Sequence, residues 1–257
     1  MRRFPRGKGT VCRPVVFAAV LLLGHTAGVD ADAILLSESR QISTAVAVSD
    51  GVTGSTEADA KSPSAPFSMW NEFLLLDVST ATGTAVGSVA QNSGYILTGT
   101  SMASGLLGTL SAGADLTLST SADVGIVFGT SSLLTSFSLL MPHVFTLSGT
   151  LFGSDAAEAG FFLLGPQTFA FSSSSPTSTF SESGTLPAGD YELLVNVFVQ
   201  LGGAEGASLT GPLDAQALAS ASFALDLTEQ PSAVPEPASL MLLAVGLSGL
   251  AVRLRRH

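Results

Sequence analysis

Residues 190–200, DYELLVNVFVQ, alternate between two sets of side chains. Tyr191, Leu193, Val195, Val197 and Val199 fall on one side, and Glu192, Leu194, Asn196, Phe198 and Gln200 on the other. A helix would scatter the first five around its circumference, whereas a strand lines them up on one face. HVFTLSGTL (143–151) repeats the pattern with Phe145, Leu147, Gly149 and Leu151, and ASFALDLT (221–228) with Phe223, Leu225 and Leu227. Between such runs Gly, Ser, Asn and Pro recur at short intervals, as they do between short strands. The pattern predicts an all-β fold, an antiparallel β-sandwich of Greek-key or jelly-roll type over residues 67–228. Further strands are expected at 95–99, 115–120, 124–129, 135–140 and 177–182. GPLDAQALASA (211–221) either holds a helical turn or feeds the last strand.

Pro187-Ala188-Gly189 is a turn signal directly before the strand that Tyr191 opens. The spacing resembles the tyrosine corner of Greek-key sandwiches, in which the phenol bonds back to the backbone just upstream. An ordinary core tyrosine is the other reading.

Charge excludes one class of partner. Between residues 34 and 233 the only basic residues are Arg40 and Lys61, against 17 Asp and Glu, a formal charge of −15. Such a surface repels phosphate backbones, so nucleic acid is not a partner. The single cysteine, Cys12, lies in the N-terminal segment, so residues 34–233 contain neither a disulfide nor a thiolate metal site.

The two ends read as addresses. Arg2, Arg3, Arg6, Lys8 and Arg13 lead into PVVFAAVLLLG (14–24) and then HTAGVDADA, the order of a secretory signal peptide. Ala31-Asp32-Ala33 fits the small-x-small cleavage pattern, so the mature chain is expected to begin near Ile34; Ala27-Gly28-Val29 is a poorer exit. At the other end, residues 238–252 are uncharged and mostly apolar. As a helix they rise only about 22 Å against roughly 30 Å of hydrocarbon. Arg253, Arg255 and Arg256 extend that reach by snorkelling to the headgroups, and positive-inside bias places them in the cytoplasm. Before the apolar run, Pro235 and Pro237 flank Glu236. Two prolines around one residue hold the chain extended, in the form a membrane protease or transpeptidase can grip. The expected organisation is a signal peptide over 1–33 with its helix, a flexible segment over 34–66 and the β body over 67–228. A linker over 229–237 and a transmembrane helix with a basic tail over 238–257 follow.

Val234-Pro235-Glu236-Pro237-Ala238-Ser239, the apolar run and the terminal arginines together resemble the PEP-CTERM sorting signal of Gram-negative bacteria. The resemblance covers the tail alone. It implies that the exported precursor is held transiently in the inner membrane with its body in the periplasm. It further implies that an exosortase, a membrane-embedded cysteine transpeptidase, recognises Pro235, Glu236 and Pro237, and that the mature form reaches the cell surface or extracellular matrix, where exopolysaccharide is a partner. The order of AQNSG, HVFTLSGTL, LPAGDYELLV and a closing Phe-x-Leu-x-Leu strand also resembles bodies found ahead of this tail, and names no activity.

The residues that look like chemistry do not assemble into a site. GTSMASG (99–105) resembles the serine segment of subtilisin-like proteases, which would make Ser101 a nucleophile. That family has proline where Gly105 stands, and no histidine of the expected mature chain precedes Ser101, although a serine nucleophile needs a base within hydrogen-bond reach. His143 is the one histidine between the terminal segments and cannot build a His-rich metal site alone. No metal and no cofactor are expected; the acidic loops leave room for a loop-bound calcium ion, but no calcium-loop spacing specifies one. Trp70 reads as a core residue or as a platform for a sugar ring. The expectation is a non-enzymatic exported protein with a structural or adhesive role in biofilm or exopolysaccharide. The alternatives are a carbohydrate- or ice-binding module and a secreted hydrolase with an unrecognised site.

Overall fold

Long alternating strands build the body. A computed structural model describes residues 33–98, 102–173, 177–202, 209–210 and 212–229. Among them there is no helix. The expected signal helix and transmembrane helix, together with Ala31, Ser101, Pro235, Glu236, Pro237, Arg253, Arg255 and Arg256, lie outside the described residues.

One face of the body runs in the order β3 (Trp70–Ser79), β4 (Gly83–Leu97), β5 (Met102–Leu118), β13 (Leu213–Glu229), β7 (His143–Gly153) and β10 (Ser178–Leu186). The other runs β2 (Gly54–Lys61), β1 (Ala33–Ser49), β6 (Val124–Leu139), β11 (Gly189–Leu201), β8 (Ala157–Leu164) and β9 (Phe169–Ser173). A two-residue strand, β12 (Leu209–Thr210), pairs with the start of β6. Every pairing is antiparallel.

The all-β antiparallel core matches the sequence reading, with one difference in architecture. The two faces are not separate sheets. Ala33 pairs with Ala103 and Ile34 with Met102, so hydrogen bonding passes from β5 to β1 around one edge. At the far edge, the rings of Phe171 on β9 and Phe180 on β10 stack 4.4 Å apart. The nine-strand path β10-β7-β13-β5-β1-β6-β11-β8-β9 therefore forms a nearly closed barrel.

A bulge makes the corner work. Leu36 has no partner between Leu35, opposite Phe137, and Ser37, opposite Ser136. An extra residue reverses which side chains face inward. Ala33 and Leu35 are buried before it, and Arg40, Ile42, Thr44, Val46 and Val48 after it. Close approach of the faces needs a missing side chain at Gly87, where a Cβ would sit 2.3 Å from Thr44 Oγ1.

Two strand expectations change, and of the two readings left open for residues 211–221 the strand is the one found. Residues 34–66, expected to be flexible, hold β1 and β2 with a loop after each. The runs expected at 124–129 and 135–140 are one strand of 16 residues, because Gly129, Thr130, Ser131 and Ser132 continue the pleat rather than turning. Residues 213–221 begin β13, with Ala217, Ala219 and Ala221 buried. The tyrosine corner is present: the Tyr191 hydroxyl donates to Pro187 O at 3.0 Å, and its ring stacks on Phe137 at 5.5 Å.

Candidate functional site

Among the described residues, the largest fully buried side chain belongs to a cation. Arg40 lies wholly inside, its Nε ion-paired with Glu38 Oε1, whose side chain is equally enclosed. Its Nη1 donates to Ser93 O at 3.1 Å and Ser93 Oγ at 3.3 Å, while Nη2 has no protein partner. The guanidinium carbon lies 5.7 Å from the Trp70 ring and 5.8 Å from the Tyr95 ring, within cation–π range. Gln91 Nε2 donates to Ser93 Oγ at 3.0 Å, and Ser131 Oγ to Gln91 Oε1 at 3.3 Å, so the network reaches from β1 through β4 to β6. Tyr95 and Thr135 share a 2.6 Å hydroxyl contact, and burial drives the Tyr95 phenol far above its ordinary pKa. Phe67 adopts a left-handed φ of 51°, a conformation that costs a non-glycine residue about 1–3 kcal/mol. Its N–H donates to Glu38 Oε2 and its ring meets Tyr95 edge-on at 5.6 Å. The cluster is a structural pin for β1, β3, β4 and the loop before β3.

Trp70 is only 7% exposed, so it serves this cluster rather than an external sugar platform. His143 is also buried, with Nδ1 2.8 Å from Met141 O and Nε2 without a protein partner. Asp123 is enclosed by its own turn and the β3–β4 turn beside it: its carboxylate accepts from Thr82 Oγ1 at 2.6 Å and from the amides of Ser119 at 2.8 Å and Thr120 at 2.7 Å. These bonds, the Thr82 one foremost, hold its pKa below the usual 3.8. Among the described residues, no three His, Cys, Asp or Glu come together as a metal site.

Open space lies on the outer side of the β3–β10 face, in troughs of about 500, 430 and 250 Å³. Across it Asn71, Asn92, Thr109, Ser222, Thr150 and Thr179 stand side by side on six consecutive strands. The row presents hydroxyls and amides without a charge. Asp115 is the one carboxylate lining these three troughs, and it accepts from Gln216 Nε2 at 2.9 Å. This surface suits hydrogen bonding to a polar ligand and lacks the paired carboxylates of a glycosidase. Sequence reading missed it because its members come from six distant segments and meet only through strand register.

The function-bearing segment lies after the body. Residues 233–256 match the PEP-CTERM protein-sorting motif. The chain carries a PEP-CTERM sorting tail. The match takes in Pro235, Glu236, Pro237 and the arginines Arg253, Arg255 and Arg256. A PEP-CTERM tail supports an exported, sorted protein and implies engagement of an exosortase with processing at a membrane. No curated protein matches the chain. Among solved structures, an enzymatically active domain of tailspike protein 4 from bacteriophage CBA120 aligns with 60% of this chain and 19% of its own, at 13% identity. The chain thus spans about a fifth of that protein's length, and the TM-score of 0.22 is too low to carry an argument.

Proposed function

We propose that this is a non-enzymatic surface or matrix protein, cut from its precursor at the PEP-CTERM tail by an exosortase and acting structurally or adhesively in biofilm or exopolysaccharide. The observation that carries the proposal is the sorting motif at residues 233–256, placed a few residues after the last described strand of a nearly closed β body. The signal peptide is expected to leave near Ile34. Ala33 is fully buried beside Ala103, so cleavage there precedes closure of that corner. Arg253, Arg255 and Arg256 hold the uncut tail across the inner membrane with the body outside.

Intact-mass analysis of the protein from its native host, with and without exosortase, tests the reading. The expected mature species starts near Ile34 and ends near residues 235–237 only when the enzyme is present. An identical C-terminus in both strains would make the tail a plain anchor.

A second reading has its own support. The row from Asn71 to Thr179 and the troughs around it favour glycan contact on the outer face, without the aromatic platform that an exposed Trp70 would have supplied. Affinity electrophoresis in gels containing a neutral glucan checks it: retardation that Thr109→Glu abolishes supports contact there, and unaltered mobility of the native protein rejects it.

A further inference from the structure

The two ends of the barrel differ in chemistry. One end gathers the start of β1, the end of β4, the β6–β7 turn, the end of β8 and the end of β13. Leu36, Ile96, Leu97, Leu140, Met141 and Leu164 are all exposed there, each within about three residues, roughly 10 Å, of the strand ends. Leu140 is 66% exposed at the tip of the β6–β7 turn. The opposite end is polar: its turns carry Asp50, Asp123 and Asp155, and Val52 is the one large apolar side chain exposed in those turns among the described residues. Solitary exposed apolar side chains are ordinary, but six at one end of a molecule mark a contact surface.

The chain itself says what lies against that end. β1 begins there at Ala33, and β13 finishes there at Glu229. Only residues 230–234 separate Glu229 from Pro235, and a fully extended chain covers that gap in about 20 Å. The apolar run starts at Ala238, immediately after the triplet. While the tail is uncut, its short tether keeps the apolar end of the barrel beside the bilayer.

We infer that the end of the barrel bearing Leu36, Ile96, Leu97, Leu140, Met141 and Leu164 rests on the lipid surface that anchors the tail. The inference rests on the membrane-anchored reading of the uncut tail given above. Apolar contact is the driving term, because this end carries Asp190, Glu192 and Asp226. The two basic residues among those described do not help: Arg40 is buried, and Lys61 pairs with Glu72 at 2.9 Å. Anionic headgroups therefore add no attraction, and neutral lipid suffices. The contact stands the barrel upright and holds Pro235, Glu236 and Pro237 at the interface, where a membrane enzyme reaches them.

The test uses the full chain reconstituted in phosphatidylcholine vesicles, with Cys12→Ser removing the native thiol. An environment-sensitive fluorophore is placed at Leu140→Cys in one variant and at Val52→Cys, on the opposite end, in the other. Both sites are exposed turn positions, and Trp70 emission verifies that each variant is folded. Lipids carrying a nitroxide on a shallow acyl carbon are expected to quench the label at 140 at least about twofold more than the label at 52, at low and high salt alike. Equal quenching at the two sites overturns the inference. So does shielding at 140 that grows with the protein-to-lipid ratio, which would assign the surface to a second copy. Shielding that appears only when exosortase is added would assign it to the enzyme and overturn the inference equally. The vesicles contain no exosortase in the main experiment, so the outcome does not depend on whether the tail is ever cut.

Discussion

Removing either half of the Glu38–Arg40 pair should harm this protein far more than removing both. The two side chains are 2% and 0% exposed, so neither charge can fall back on water when its partner is lost. Glu38→Gln leaves the guanidinium buried with only Ser93 and two aromatic rings for company. Arg40→Met leaves the carboxylate enclosed with the Phe67 amide and the Tyr95 phenol and no cation. Stranding one member of a buried pair costs about 3–5 kcal/mol, whereas replacing the whole pair with matched neutral groups is often neutral or stabilising. At about 2–4 °C per kcal/mol for a body of this size, each single variant should melt about 6–20 °C below the native protein. The double variant Glu38→Gln, Arg40→Met should melt close to the native temperature. Thermal and urea unfolding of all four proteins gives the coupling energy directly. Trp70, the only tryptophan and a direct neighbour of the guanidinium, reports the local change through its emission. Single variants that cost under about 1 kcal/mol, or a double variant that costs the sum of the two, would refute the reasoning.

Three further expectations follow from single contacts. Tyr191→Phe removes the 3.0 Å bond to Pro187 O while keeping the stack on Phe137, and should cost about 1 kcal/mol in urea titration. Gly87→Val drives a side chain into Thr44 Oγ1 and Val46 across the interior, with an expected loss of about 1–3 kcal/mol and a lower melting temperature. Asp123 titrates below the usual 3.8 when folded, so its stabilising effect is complete above that value and fades as pH falls through the folded pKa. Asp123→Ala should therefore flatten the acid limb of a stability–pH profile measured below about pH 4, leaving a smaller drop than the native protein shows.

The sequence made the class of fold legible wherever bulky residues alternate. Tyr191 to Val199 and Phe223 to Leu227 lie in strands as expected, and the Pro187 turn binds the Tyr191 hydroxyl as its spacing suggested. Small side chains concealed the rest. In β1 the inward positions after the bulge include Thr44, and the outward ones are Ser, Ala and Gln, a composition that reads as loop. Hydrophobic contrast fails as a signal when a nearly closed barrel lets Ser131 and Thr135 be inward and buried through hydrogen bonds across the interior. The continuity of the two faces was hidden for a different reason: it depends on the unpaired Leu36 and on two residue pairs at the corner, neither of which has a period. The polar row of the outer face was illegible because register, not local pattern, brings Asn71 next to Asn92 and Ser222 next to Thr150. The tail was the reverse case. Its order of triplet, apolar run and arginines is local, and it was readable residue by residue.

β13 is the last strand among the described residues, yet it sits in the middle of its face, with β5 on one side and β7 on the other. In a chain exported amino end first, β5 and β7 wait unpaired on that flank until residues 213–229 have crossed. The sorting tail begins a few residues later. On the membrane-anchored reading proposed above, the barrel would complete itself at almost the moment the tail reaches the bilayer, and the order of strands would act as a clock that ties the end of folding to the arrival of the anchor.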